Sequence, residues 1–366
     1  MAAPESDRLP ALDLLRGLAA LAVMLPHFAM YSTSNASPVA EIAATMAVEI
    51  FFVLSGFVLG SQIRLCAQQK NWITLKTFLV RRWMRTIPSY LVALIAISLT
   101  VGSIGTADFF RYAFYIQNLS SQHNAHDYYP VAWSLSVEEW YYVSFPIIVL
   151  LVGKIVRVAD VWLSCLVAVL LFVILVGICR LTYGNVPDWG AFVRRVVAFR
   201  VDAIAYGFLL YLILQRATGI ESNLSRALSL ILLSGTAITL IYLNTHIFLN
   251  GKAWLQTFYP FASAAFGMAV VLFFVSINSF VGWMSAVCEF LGRISYPMYL
   301  LHLVVLYFLA RFGIASGLPG LLIYSFAVIA CSALFHFGFE QPILACRPHY
   351  KKHLSVSETV VEMAAT

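Results

Sequence analysis

The chain has 366 residues, of which 61% are hydrophobic and only 11% charged. A soluble domain carries roughly 25% charged residues, so water is the wrong solvent for most of this surface. The net charge of +6 comes from Lys and Arg in short loops between apolar runs, a pattern that marks membrane orientation and not a nucleic-acid partner.

The apolar runs are continuous over about 20 residues and do not alternate, which argues for membrane helices over a barrel. In chain order the predicted spans are 11–30, 44–63, 87–106, 131–152, 161–182, 196–215, 227–247, 258–278, 291–312 and 319–340. The expected fold class is all-α, a polytopic transmembrane helical bundle of about ten helices. Residues 1–346 form one transmembrane domain, and 347–366 a short polar cytoplasmic tail. The segment before the first run is acidic as well as basic, and Arg16 inside the run and Pro26-His27 near its end fit a signal peptide poorly, so it reads as an uncleaved first helix.

With the N-terminus inside, the inner segments hold Arg8, Arg64, Lys70, Lys76, Arg81, Arg82, Arg85, Lys154, Arg157, Arg216, Arg226, Arg347, Lys351 and Lys352. The outer segments hold only Arg111, Arg180, Arg194, Arg195, Lys252 and Arg311. That bias places both termini in the cytoplasm. The longest outer loop, 107–130, carries Asp108, His123, His126 and Asp127. The six cysteines form no CxxC pair, so neither a disulfide nor a metal site is expected.

An ionisable group inside a span is costly and points to function. Arg16 and His27 lie eleven residues apart on the first span, which puts them on one helix face, separated by roughly 16 Å along the axis. His27 can serve as a general base, and Arg16 can hold a carbonyl, a phosphate or a carboxylate. The plainer reading is a snorkelling arginine and an interfacial histidine.

Arg82 and Arg85 are three apart and would form a phosphate clamp on a helix, or else a positive-inside anchor. Trp133-Ser134-Leu135-Ser136-Val137-Glu138-Glu139 opens the fourth span at its outer end. One of the two acids can favour the helix dipole there. Glu138 and Tyr142 share a face. Ser55-Gly56 mid-span suggests close packing or a kink. Arg200 and Asp202 face different ways, so each needs another partner. Arg293 opens the ninth span, with His302 deeper in it. Glu340 closes the tenth and, from depth alone, pairs with Arg16 or Arg293.

These motifs, in this order, resemble the acyltransferase-3 family of membrane acyltransferases over residues 8–346. The resemblance rests on Arg16-x10-His27, Phe52-Val53-Leu54-Ser55-Gly56-Phe57, Arg82-x-x-Arg85 with Pro88 and Tyr90, and Trp133 to Glu138 with Tyr142. It continues with Arg200-Val201-Asp202 and Gly207, Gly292 to Pro297 with His302, and Glu340-Gln341-Pro342.

The resemblance implies transfer of an acyl group, most often acetyl, from cytoplasmic acyl-CoA to a hydroxyl of a cell-surface or lipid-linked saccharide. It places the protein in the bacterial inner membrane. Acetyl-CoA would be a substrate, and no cofactor would be permanently bound. His27 becomes the catalytic residue, Arg16, Arg82 and Arg85 donor-site candidates, and Glu138 and Glu340 orienting or charge-balancing groups. Ser55, Trp133, Tyr142, Arg200, Asp202, Arg293 and His302 complete the candidate site.

Some family members carry an extra helix and an SGNH-type hydrolase domain. The chain has neither, so a second acyl-carrying step would fall to another protein. Trp140-Tyr141 stands where many members have Gln-Phe. The competing readings are a secondary transporter or flippase for a saccharide or small anion, and acylation of a small secondary metabolite.

Overall fold

The computed structural model describes residues 9–33, 38–121, 127–156, 160–183, 186, 189–217, 222–250, 253–277, 280 and 282–350. His123, His126 and the tail beyond residue 350 lie outside them. The described residues are mostly helical, with no strand among them. Nine described helical stretches are long and apolar enough to cross a membrane, counting Val197–Arg216 and Gly317–Ala345 as one stretch each and leaving out the shorter apolar Arg226–Tyr242. The protein is thus a multi-pass integral membrane protein, built the only way short of a barrel that satisfies backbone groups in lipid.

The long helices are α1 (Pro10–Thr33), α2 (Pro38–Val58), α4 (Trp72–Val101), α6 (Ala132–Ile155), α7 (Val161–Tyr183), α10 (Ser222–Asn250), α11 (Ala253–Val275), α12 (Trp283–Arg311) and α13 (Gly317–Phe335). The short ones are α3 (Gly60–Gln69), α5 (Ala107–Ala113), α8 (Val197–Arg200), α9 (Ala205–Arg216) and α14 (Gln341–Ala345). The span expected at 227–247 falls on α10, whose apolar described part runs over Arg226–Tyr242. The span expected at 196–215 is broken into α8 and α9 by a turn at 201–204. The span expected at 87–106 begins much earlier, because α4 takes in the arginine segment.

Glycines set the closest helix contacts. A Cβ on Gly56 would lie 1.9 Å from Ile204 O, and one on Gly207 1.8 Å from Val53 O. The backbones of α2 and α9 therefore touch, which is the role of small residues between membrane helices. The Ser55-Gly56 pair is a packing feature, as its composition suggests. A Cβ on Gly17 would meet Leu291 Cβ at 2.6 Å, and one on Gly292 would meet Asp13 Cβ at 2.5 Å. These contacts seat α1 on α12. The pairing advances in one chain direction, from Asp13 beside Gly292 to His27 beside His302, so the two helices are parallel.

The 107–130 segment is more than a surface loop. Tyr129 is fully buried, and its hydroxyl donates to Leu300 O at 2.9 Å. The chain thus enters the bundle beside the middle of α12 before α6 starts. Irregular backbone at that depth has to be paired within protein. Val197 N donates to Asn118 O, Ala198 N to Leu119 O, and Asn118 Nδ2 to Trp133 O.

Candidate functional site

Two imidazoles meet where α1 packs on α12. The His27 and His302 ring centroids are 5.1 Å apart, with the planes tilted by 35°. His27 follows Pro26 directly, and Pro297 lies five residues before His302. Neither proline can supply a helix N–H, and each loosens the turn before it. Each ring turns back on its own helix. His27 Nδ1 lies 2.8 Å from Val23 O, and His302 Nδ1 2.8 Å from Tyr299 O and 3.2 Å from Met298 O. A carbonyl oxygen only accepts, so Nδ1 carries the proton on both rings and each Nε2 keeps a lone pair. His302 is completely buried, and its Nε2 has no hydrogen-bond partner among the described residues.

Arg16 sits toward the other end of the same α1 face and donates to Asp13 Oδ1 at 2.8 Å. Asp13 is buried against Gly292. It is a second charge on the first span, and it holds the Arg16 side chain close to α12.

The arginine segment is helical. Arg81, Arg82 and Arg85 lie on α4 after the Asn71 N-cap, whose side chain accepts from Thr74 N at 2.9 Å. Arg82 Nη2 donates to Gln62 Oε1 at 3.4 Å, and Tyr350 OH reaches the same oxygen at 3.3 Å. Arg81 Nη1 donates to Pro348 O at 2.6 Å and lies over the Tyr350 ring at 5.3 Å. Burial pushes the Tyr350 phenol up to about 12, so it remains a donor near neutral pH.

Glu138 and Glu139 link this end to the interior. Ser55 Oγ donates to Glu138 Oε1 at 3.3 Å, and the Tyr142 hydroxyl bonds to the same oxygen. Glu139, buried, faces Thr86, Trp83 and Arg82 of α4. The expectation that one acid opens α6 and favours its dipole is wrong. The helix begins at Ala132, with no acid in its first turn. Both carboxylates lie a full turn or more into it, and that helix itself starts inside the bundle.

Nearer the histidines, Trp133 packs edge-on to Phe52 at 5.8 Å and accepts the Arg194 guanidinium over its ring at 5.7 Å. Arg194 also donates to Thr45 Oγ1 at 3.0 Å. Tyr299 OH meets Ser134 Oγ at 2.6 Å and donates to Val131 O at 3.0 Å. Arg195 lies 3.7 Å from Asp127.

Several sequence-based expectations resolve differently. Arg200 and Asp202 do not pair with each other, as their spacing predicts. Arg200 Nη2 bonds to Glu49 Oε1 at 2.5 Å, and Arg180 grips both oxygens of Asp202 at 2.8 Å. All four side chains in these pairs are only 1% exposed. Arg180, expected in an outer loop, is therefore a buried residue of α7, and Arg194 is buried as well. Glu340 pairs with neither Arg16 nor Arg293. Ser89 Oγ of α4 and His336 Nδ1 each donate to it at 2.8 Å, and His336 and Glu340 are the two ends of a π-helical turn. Arg293 instead bonds to Glu289, one turn before it, at 3.2 Å. The structure joins Ser55, Glu138 and Tyr142 in one cluster, and His27 with His302 in another. Glu49 and Asp13 are residues that sequence reasoning missed. Each is an acid inside an expected span and carried the same signal as Arg16.

A family model described as "Acyltransferase domain" matches residues 9–337. The chain belongs to the acyltransferase-3 family. Among curated proteins it is similar to three named "Putative O-acetyltransferase", from Staphylococcus aureus strains COL, MSSA476 and MRSA252. Each is 25% identical over 155 residues, which is 38% of this chain and 24% of the relative. The chain thus matches about a quarter of those relatives' own length. No solved structure matches it.

Proposed function

We propose that this membrane acyltransferase moves an acyl group, in the simplest case acetyl, from acyl-CoA to a hydroxyl of an extracytoplasmic or lipid-linked saccharide. The donor end is the α4 surface of Arg81, Arg82 and Arg85. Three guanidinium groups on one turn suit a molecule that carries several phosphates. The acceptor end lies beyond His27. The compartment in this reading is the bacterial inner (plasma) membrane, which the bacterial source of the relatives supports. The relatives' printed name, O-acetyltransferase, supports acetyl as the group transferred.

The observation that carries this reading is the orientation of His27. Its Nδ1–H is spent on Val23 O, which leaves the Nε2 lone pair to take a proton from an attacking hydroxyl. The oxygen attacks the thioester carbonyl carbon, the C–S bond breaks, and the sulfur leaves as the free thiol after receiving a proton. Arg16, on the same face of α1, lies on the route between the two ends. Glu138, held by Ser55 and Tyr142, balances the arginine charge midway.

The transporter reading would use the charges at the α8–α9 break, since broken helices mark transport sites. Those charges, Arg200 and Asp202, are already held in close pairs by Glu49 and Arg180.

The test is transfer of radiolabel from acetyl-CoA to the saccharide fraction of cells expressing the gene, with glycan mass spectrometry of cells with and without it. Label in the saccharide and an acetyl mass difference support the reading. Label confined to protein or to a small diffusible product would overturn the saccharide assignment.

A further inference from the structure

A second residue beside His27 carries a consequence for the proton that the reaction must move. We infer that His302 is the proton-sharing partner of His27, its Nε2 lone pair receiving the N–H that forms on His27 Nε2 during acyl transfer. This inference rests on the acyl-CoA reading of the site.

The first argument is distance. An imidazole nitrogen lies about 1.1 Å from its ring centre, so an N–H···N bond of about 2.8–3.0 Å sets the centroids about 5 Å apart. The observed separation is 5.1 Å with the planes tilted by 35°, close to that spacing, while His302 Nε2 has no hydrogen-bond partner among the described residues at rest. The second is the orphan acceptor. His302 Nε2 is buried and unpartnered among the described residues, a state that buried polar atoms rarely keep. The third is orientation. The carbonyls of Tyr299 and Met298 hold His302 Nδ1–H, and the Tyr299 ring flanks it at 6.0 Å. Tyr299 is itself fixed by Ser134 and Val131. The ring is thus locked with Nε2 as its only free atom for hydrogen bonding.

Two neutral imidazoles that both present lone pairs cannot bond to each other. One added proton makes an N–H···N bond between them. The attraction therefore appears only once His27 has taken the acceptor's proton, which is the kind of interaction that lowers a barrier. The balance closes within the reaction. The acceptor O–H breaks and N–H forms on His27. The proton is shared with His302 while the C–O bond forms. It then passes from His27 to the departing sulfur as the C–S bond breaks. His302 touches neither substrate in this scheme and is a positioning residue.

The experiment compares wild type, His302→Asn and His302→Gln in proteoliposomes, with thiol release from acetyl-CoA in the presence of acceptor as readout. Asn can keep the N–H to Tyr299 O but has nothing at the Nε2 position. Gln can place an oxygen there to accept from His27. The expected result is a kcat loss of about 100-fold or more for Asn, KM for acetyl-CoA within twofold of wild type, and at least tenfold recovery in Gln. Asn at more than a third of the wild-type kcat, or equal losses in Asn and Gln with a raised KM, would overturn the inference. Wild type inert toward acetyl-CoA would overturn the reading it rests on, and the inference with it.

Nitrogen NMR of histidine-labelled wild-type protein in bilayers needs no variant to fold. It should show His27 and His302 both protonated at Nδ1 and bare at Nε2. A proton resident on His302 Nε2 in the resting protein would contradict the inference.

Discussion

His27 and His302 face each other across the parallel contact of α1 and α12, with 5.1 Å between ring centroids and both Nδ1 atoms turned onto their own helices. Gly17 and Gly292 make that approach possible by removing the side chains that would hold the helices apart. The packing of two helices therefore determines where a base can sit within the bundle.

The arginine turn of α4 is assigned to the phosphates of the donor. Arg82→Ala with Arg85→Ala should raise KM for acetyl-CoA by roughly 10–100-fold, the loss expected for charge-assisted hydrogen bonds of about 1.5–3 kcal/mol. The same variant should act on acetyl-pantetheine, which lacks the nucleotide phosphates, as well as wild type does. Steady-state kinetics with the two donors checks this. An equal loss on both would remove the clamp.

The α2–α9 contact should tolerate no side chain. Gly207→Ala places a Cβ against Val53 O, and Gly56→Ala one against Ile204 O. Overpacking costs typically 1–3 kcal/mol and more against backbone, so each should lower the melting temperature in detergent by several degrees. Gly235→Ala on α10 meets nothing within 4 Å and should be neutral or slightly stabilising.

The Arg180–Asp202 pair is only 1% exposed on both sides. Asp202→Asn should destabilise by about 3–5 kcal/mol, because it leaves the Arg180 charge buried without its counter-ion. Replacing both partners, as Arg180→Met with Asp202→Leu, should recover most of that loss. Chemical denaturation of the three variants in micelles decides. A double variant as unstable as the single one would mean that the pair does more than cancel its own charges.

Much of this arrangement was legible in the residues. Runs of apolar residues located the spans, and the eleven-residue interval put Arg16 and His27 on one face. Spacing alone showed that Arg200 and Asp202 need separate partners. It could not name Glu49 and Arg180, because partner choice depends on which helices touch, and the glycine crossing of α2 with α9 sets that. The depth of Glu138 was hidden for a similar reason. Hydropathy treats the start of α6 as a membrane boundary, whereas Tyr129 carries the chain inside before the helix begins. His302 was visible as a polar residue inside a span. Its approach to His27 follows from helix packing that no single-helix periodicity encodes. Glu340 was assigned by depth to arginines, whereas a π-helical turn sets His336 beside it and α4 supplies Ser89.

The most direct test of the central claim, that His27 is the base for acyl transfer from acyl-CoA, is the rate of free-thiol release from acetyl-CoA by purified protein in proteoliposomes supplied with saccharide acceptor. The account predicts acceptor-dependent release by wild type and a fall of about 100-fold or more in His27→Ala, with the variant inserted and as thermally stable as wild type to within a few degrees. A folded His27→Ala protein that releases thiol at the wild-type rate would contradict it.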